Sequence, residues 1–320
     1  MNTPGLESNH PHRSSTAGRR CTHLLSVDVE DYFQVEAFSG CLDRSSWDRW
    51  PSRVVANTQR ALDIFDEYNA KATFFFVGWV ADRFPSLVRE VHARGHELAC
   101  HSFWHRTIYS LSPEEFRRDT RAAKQAIEQA AGVTVLGYRA PSWSITRNSL
   151  WALDILAEEG FVYDSSIYPI HHDIYGVPKG QRFPYVHASK GTQQIREYPP
   201  TTIRMFGINF PAAGGGYLRL CPLAYTRMVF QLFERVYRQQ VVVYFHPWEL
   251  DPEQPRIAGG LRGRLRHYTN LERMAGRIKS LLADYSFEAF RDTLARAENA
   301  EEARQVSCRL ASSAGGTGTL

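Results

Sequence analysis

Residues 72–100, ATFFFVGWVADRFPSLVREVHARGHELAC, hold two short apolar runs on either side of an amphipathic segment. ATFFFVG (72–78) has the composition of a strand, PSLVREVHARG (85–95) that of an amphipathic helix, and HELAC (96–100) is again strand-like. Strand, helix and strand in immediate succession predict a βαβ unit, two parallel strands joined by a crossover helix.

The same alternation continues on both sides. Upstream, THLLSVDV (22–29) reads as a strand and Val54–Tyr68 as a helix with Val54, Ala61, Leu62, Phe65 and Tyr68 on one face. Downstream, residues 112–132 predict a helix with Ser112 as N-cap, Pro113 at its first position and Gly132 just past its end. VTVLGYR (133–139) follows as a strand, then a helix over 147–160 and a strand around FVYD (161–164). Residues 170–216, rich in Gly, Pro and aromatics, read as long loops with short strands around QQIREYP (193–199). A helix from Pro222 to about Gln239 leads into VVVYF (241–245), apolar enough to be a strand buried on both faces, and 268–298 reads as helix, short strand, helix. The fold class is α/β, with sequential parallel strands and crossover helices arranged as a barrel or an open doubly wound sheet. No internal repeat and no clear linker interrupts it, and the polar or low-complexity ends, 1–20 and 299–320, are expected to be disordered tails.

The 320 residues are 43% apolar and 22% charged with a net charge of +4, a globular composition without the basic excess of a dedicated nucleic-acid binder. The longest nearly unbroken apolar run, residues 72–81, is too short to span a bilayer, and residues 1–20 lack the apolar core of a secretory signal. The expectation is a cytoplasmic protein without a membrane span. Five scattered cysteines with no C-x-x-C pair support neither a disulfide framework nor a thiolate metal site.

In either α/β architecture ligands gather at the carboxyl ends of the strands. Five such ends carry chemistry: Asp28, Glu30 and Asp31 after the first; His101 and His105 in CHSFWH; Arg139 and Trp143 in GYRAPSW; Asp164 in YDSSIYP; His246 and Glu249 in HPWEL. Each has a bland reading, since His-x-x-x-His spacings arise by chance, acidic strand ends are often helix caps, and Arg139 or His246 could be satisfied core residues. Taken together, two histidines and a carboxylate form the donor set of a catalytic divalent-metal site, and a second carboxylate can serve as base for hydrolysis of an amide or ester.

With these residues in hand, the sequence resembles the NodB-like polysaccharide deacetylases of carbohydrate esterase family 4, over roughly residues 23–250. Ser26-Val27-Asp28-Val29-Glu30 resembles the family's T-F-D-D-G motif, and His101-Ser102-Phe103-Trp104-His105 its H-S/T-x-x-H motif. Arg139-Ala140-Pro141-Ser142-Trp143 resembles R-x-P-x-W/F, and Tyr244-Phe245-His246 the closing L-x-H, in the family's order. The resemblance implies a distorted (β/α) barrel over residues 21–250, with residues 251–298 as a C-terminal helical extension packed on it. It implies a divalent metal, zinc first, held by His101, His105 and a first-motif carboxylate. It also implies Asp28 as general base, Arg139 orienting it, His246 as general acid, Ser102 supporting the histidine loop, and Asp164 tuning His246 or pairing with Arg139. Pro141, Trp143 and Trp248 would face the substrate.

The departure is Val29, where the family has its metal-binding Asp. That leaves Glu30 or Asp31 as third ligand; strand alternation points Glu30 to the same side as Asp28 and favours it slightly, whereas a turn directly after the strand would present Asp31. DVEDYFQVE, HPWELDPEQPR and RHYTNLERM resemble a subgroup found with exosortase-linked exopolysaccharide genes, which implies an N-acetylhexosamine-containing polysaccharide or lipid-linked oligosaccharide as substrate. A saccharide predicts an open groove with aromatics, for which Trp104, Trp143, Tyr175 and Trp248 are candidates. The rivals are a cyclic-amide or other C–N hydrolase with a closed pocket, and a catalytically silent carbohydrate-binding protein.

Overall fold

The computed structural model describes residues 21–172, 175–187 and 194–299. The tails expected at 1–20 and 299–320 lie outside the described residues, apart from Asn299. The βαβ reading of 72–100 is the heart of the fold: β2 (Thr73–Phe76) and β3 (Glu97–Cys100) pair in parallel, joined by α2 (Gly78–Arg83) and α3 (Pro85–Ala93). β1 (Thr22–Val29) precedes them with α1 (Val54–Glu67) as crossover. α4 (Pro113–Ala131) leads to β4 (Gly137–Tyr138), and α5 (Trp151–Glu158) to β5 (Tyr163–Asp164). The Ser112 N-cap is present as a full capping box with Glu115, and Gly132 closes α4 in the left-handed conformation at φ 71°.

The strand expected over 133–139 shortens to two residues because Val135 N–H donates to Glu128 Oε1 instead of entering the ladder. β6 (Tyr185–His187) and β7 (Ile195–Glu197) extend the sheet beyond β5, with an antiparallel last pair, and β8 (Thr202–Met205) and β9 (Ile208–Pro211) form a separate hairpin. α6 (Gly215–Leu220) and α7 (Leu223–Leu232) then lead to β10 (Val242–Phe245) on the far side of β1. The result is a curled, nearly all-parallel half-barrel in the order β10-β1-β2-β3-β4-β5-β7-β6, with helices around it.

Alternation along the strands sorts side chains to the two faces of the sheet. Leu25, Val27, Phe74, Phe76, Leu98, Val243 and Phe245 pack with the surrounding helices. Leu24, Phe75, Ala99, Tyr163, Tyr198 and Val242 form a second cluster on the other face. That cluster is completed from the far end of the chain, so the segment after residue 250 is more than a helical layer. After α8 (Leu261–Tyr268) and α9 (Leu271–Asp284), β11 (Ser286–Glu288) pairs with Thr22–Leu24 of β1, and the helix over 290–299, α10, inserts Phe290 and Leu294. Phe290 stacks on Tyr163 at 5.4 Å, and its N–H donates to Thr73 Oγ1. The buried Glu97 carboxylate accepts from Arg291 N–H (2.9 Å) and from Tyr163 O–H (2.8 Å). Tyr163 reaches it only because residue 137 is glycine, since a Cβ there would lie 2.0 Å from the Tyr163 ring.

Phe290 is fully buried, whereas Leu261 is 73% exposed. Phe290→Ala is therefore expected to lower unfolding free energy by about 3–5 kcal/mol and Leu261→Ala by less than about 0.5 kcal/mol. Urea denaturation of the two variants against wild type checks this; equal effects would contradict the inserted role of α10.

Candidate active site

Period-two alternation carries one set of inward residues to the carboxyl edge of the sheet: Asp28 on β1, and the residues just after the last positions of β3, β4 and β10, which are His101, Arg139 and His246. Arg139 is completely buried, and each of its guanidinium nitrogens has a partner. Its Nη1 donates to Asp28 Oδ1 (2.6 Å) and Ser26 Oγ (2.8 Å), Nε to Ser165 O (3.2 Å) and Nη2 to Ser165 Oγ (3.0 Å). The guanidinium also lies 4.0 Å from the Phe75 ring centroid. Asp28 is thus ion-paired through Oδ1, with Oδ2 turned toward His246 Nε2 at 3.9 Å.

The loop after β3 presents the two histidines through a bent backbone in which Ser102 and His105 take φ of 63° and 49°. Asp119 of α4 gathers this loop, accepting from Ser102 Oγ (2.7 Å), Phe103 N–H (2.7 Å) and Trp104 N–H (3.2 Å). Ser102 therefore supports the loop, but through Asp119, a residue with no signal in the sequence beyond its place on an amphipathic helix. Arg44 adds a clamp on the Trp104 and His105 carbonyls at 2.7 and 3.1 Å.

Glu30, His101 and His105 come together with one potential ligand atom each, all within 4.8 Å of one another and all buried. His101 Nδ1 donates to Arg139 O (2.7 Å), which leaves Nε2 with its lone pair; burial lowers its pKa to about 4 against the opposing pull of Asp28, so the ring is neutral. Burial opposes ionisation of Glu30, yet the imidazoles of His105 and His246 hold it well below the usual carboxylate range. His105 Nε2 lies 2.6 Å from Glu30 Oε2 without hydrogen-bond geometry, and Oε2 has no hydrogen-bond donor among the described residues. An imidazole nitrogen and a carboxylate oxygen brought this close, with the neutral His101 ring beside them, make a donor set that fits a shared divalent cation.

Asp31 points elsewhere. Its Oδ2 accepts from Ser52 Oγ (2.6 Å), Arg53 N–H (3.0 Å) and Val54 N–H (3.2 Å), so it binds the first backbone donors of α1. The geometry thus separates the two carboxylates that the sequence left as alternatives. Burial raises Asp31 to about 6 against these hydrogen bonds.

His246 Nδ1 lies 2.7 Å from Glu249 Oε1, and Glu249 is ion-paired in turn with buried Arg219. Burial works against protonation, but Glu30, Glu249 and Asp28 together raise His246 to about 9, leaving a cationic ring with Nε2–H toward the Asp28 and Glu30 carboxylates. Trp248 lines the cavity as the sequence reading expects, but it is also a support: 4% exposed, it donates its indole N–H to Glu30 Oε1 (3.0 Å) and stacks between His246 and His267. Asp164 is a correction to the sequence expectation. It bonds Ser166 Oγ (2.6 Å) and titrates with buried Glu197, burial raising both, and it makes no hydrogen bond to Arg139 or His246. Its reach to the site is indirect, since Ser166 Oγ accepts from Ala140 N–H (2.8 Å). Pro141 is buried and starts the turn that carries Trp143, without lining the cavity.

A cavity of about 500 Å³ opens over Asp28, Glu30, His101, His105 and His246. Trp143, Tyr175 and Trp248 line it and Trp104 does not; Trp104 packs against Trp47. The arrangement supplies a paired carboxylate, a metal-type donor set and a protonated imidazole around one space, the components of amide hydrolysis.

Residues 45–160 match the family model described as polysaccharide deacetylase, and residues 165–295 match a domain of unknown function (DUF3473). The chain is 31% identical over 110 residues to a bifunctional xylanase/deacetylase of Pseudobutyrivibrio xylanivorans, a match covering 34% of this chain and 18% of that protein. It is 30% identical over 98 residues to a peptidoglycan-N-acetylglucosamine deacetylase of Bacillus cereus, covering 30% and 36% respectively. The chain thus spans well under half the length of these curated relatives. A solved structure from Mycobacterium smegmatis, named as a candidate polysaccharide deacetylase, superposes with a TM-score of 0.58 at 22% identity over 91% of this chain and 94% of that one, a likeness of fold.

Glu30→Gln and Asp31→Asn should fail in different ways. The first is expected to fold but fail to take up added zinc; the second to take up about one zinc per chain, as wild type is expected to, while losing about 1–3 kcal/mol of stability as the donors of α1 lose their charged acceptor. Elemental analysis and thermal melts on the pair test this, and zinc lost only from Asp31→Asn would reverse the assignment.

Proposed function

We propose that this chain, whose residues 45–160 match the polysaccharide deacetylase family model, is a metal-dependent hydrolase removing N-acetyl groups from a glycan. Its substrate is an N-acetylhexosamine-containing exopolysaccharide or the lipid-linked precursor of one. The observation that carries the reading is convergence: Asp28 with Arg139, Glu30 with His101 and His105, and His246 with Glu249 all face one cavity.

Glu30, His101 and His105 would hold the ion. When bound, a divalent metal such as zinc supplies Lewis acidity, polarising the acetamide carbonyl and easing deprotonation of water. Asp28, held by Arg139 at Oδ1, takes the proton of the attacking water at Oδ2. Glu249 accepts from His246 Nδ1 and so turns the proton on Nε2 toward the departing nitrogen. The C–N bond breaks, that nitrogen takes the Nε2 proton, and acetate and a free amine leave. Trp143, on a cavity wall and edge-on to Tyr244, offers an apolar face for a sugar ring.

The metal-replete protein is expected to release acetate from N-acetylglucosamine oligomers, to stop on chelation and to recover on zinc addition. Asp28→Asn and His246→Gln should each lower kcat by about 10²–10⁴-fold with zinc content retained. No acetate from any oligomer, with zinc bound, would set this reading aside.

A further inference from the structure

The cavity has a wall that the chemistry above does not use. α8 has the sequence LRGRLRHY, and Arg262 and Arg266, four residues apart and so on one face, both line the cavity that contains Asp28 and His246. Among the described residues neither side chain has a carboxylate within ion-pair distance or a hydrogen-bond acceptor, and both are exposed. The cavity's other carboxylate outside the catalytic set, Glu36, accepts from Ser39 Oγ (3.0 Å) and pairs with neither arginine. Like charges one turn apart oppose each other, and nothing within the described protein offsets them.

α8 is nevertheless held firmly, and by the residues that hold the catalytic groups. Arg219, the partner of Glu249, donates to the carbonyls of Arg266 (2.9 Å), His267 (3.1 Å) and Thr269 (2.6 Å), closing the carboxyl end of the helix. His267 stacks at 4.0 Å on Trp248, whose indole binds Glu30. Gly263 lets α8 sit close on the turn at Ala37, where a Cβ would lie 3.3 Å from the Ala37 carbonyl oxygen. Two uncompensated guanidinium groups are therefore carried at a set position beside the reaction centre, on a helix anchored to it.

We propose that Arg262 and Arg266 recognise anionic groups on the substrate, so that the glycan deacetylated here is acidic, bearing carboxylate, sulfate or phosphate. This rests on the deacetylase reading and narrows its substrate class. Guanidinium forks match such oxyanions bidentately, and like-signed charge lining a cleft raises the local concentration of the opposite charge. The anion can belong to sugars along the chain or to a phosphate at its reducing end.

The test compares three probes: neutral N-acetylglucosamine oligomers, oligomers of N-acetylglucosamine alternating with glucuronate, and an N-acetylglucosamine oligomer with a terminal diphosphate. Wild type is expected to favour an acidic probe by about tenfold or more in kcat/KM at low salt, with the preference fading toward about 0.5 M salt. In R262Q/R266Q the acidic-to-neutral ratio should fall to about one, in R262K/R266K it should be partly kept, and in R262E/R266E it should invert. Preference for the glucuronate probe locates the anion along the chain; preference for the diphosphate locates it at the end. Equal kcat/KM on all three probes in wild type, or a ratio unchanged in R262Q/R266Q, overturns the proposal. Equilibrium binding of the same probes separates the two failures: if no probe yields acetate but the acidic ones bind more tightly in an Arg262- and Arg266-dependent manner, the reaction is wrong and the anion site stands.

Discussion

The buried ion pair between Arg139 and Asp28 is the contact on which the rest of the centre depends. It joins β1 to the segment after β4, and through Ser165 to the segment after β5, so three strands meet on one guanidinium. Burying two charges is stabilising only where every donor and lone pair finds a partner. Here Ser26, Ser165 and the Phe75 ring supply what Asp28 does not. The backbone of the same residue orients His101, so Asp28 and His101 are positioned by one arginine.

A second chain of contacts runs the other way, from His246 through Glu249 and Arg219 to α8. It lies wholly within residues 165–295, the part that matches DUF3473. The part that matches polysaccharide deacetylases carries His101, His105 and Arg139, and the part that matches DUF3473 carries His246, Glu249 and the arginines of α8. Asp28 and Glu30 precede both. A half-barrel whose edge is completed by β10, β11 and α10 joins these stretches, so the site exists only when the two parts fold together.

Much of this was legible in the sequence, because strand alternation and helix capping are local. THLLSVDVE places Asp28 and Glu30 two apart and therefore on one side of a strand whatever it packs against, and the structure brings Glu30 to the histidines. Ser112, Pro113 and Gly132 bound α4 for reasons contained within it. The alternating apolar runs determined the parallel α/β class, and polar residues at strand ends identified where chemistry would gather.

What the tertiary structure decided is the partner of each polar group, since partners come from segments far apart in the chain. Asp31 serves α1 because residues 52–54 arrive beside it, and Asp164 turns to Glu197 because β7 lies next to β5. Trp248 became a support of Glu30 as well as part of the cavity wall once His246 and His267 stacked on its faces. Asp119 and Arg219 look like ordinary helix residues until the loop after β3 and the end of α8 turn their backbone groups toward them. A one-dimensional pattern specifies the direction of a side chain; whether a carboxylate in that direction meets a pair of imidazoles, a helix end or another carboxyl is set by long-range packing.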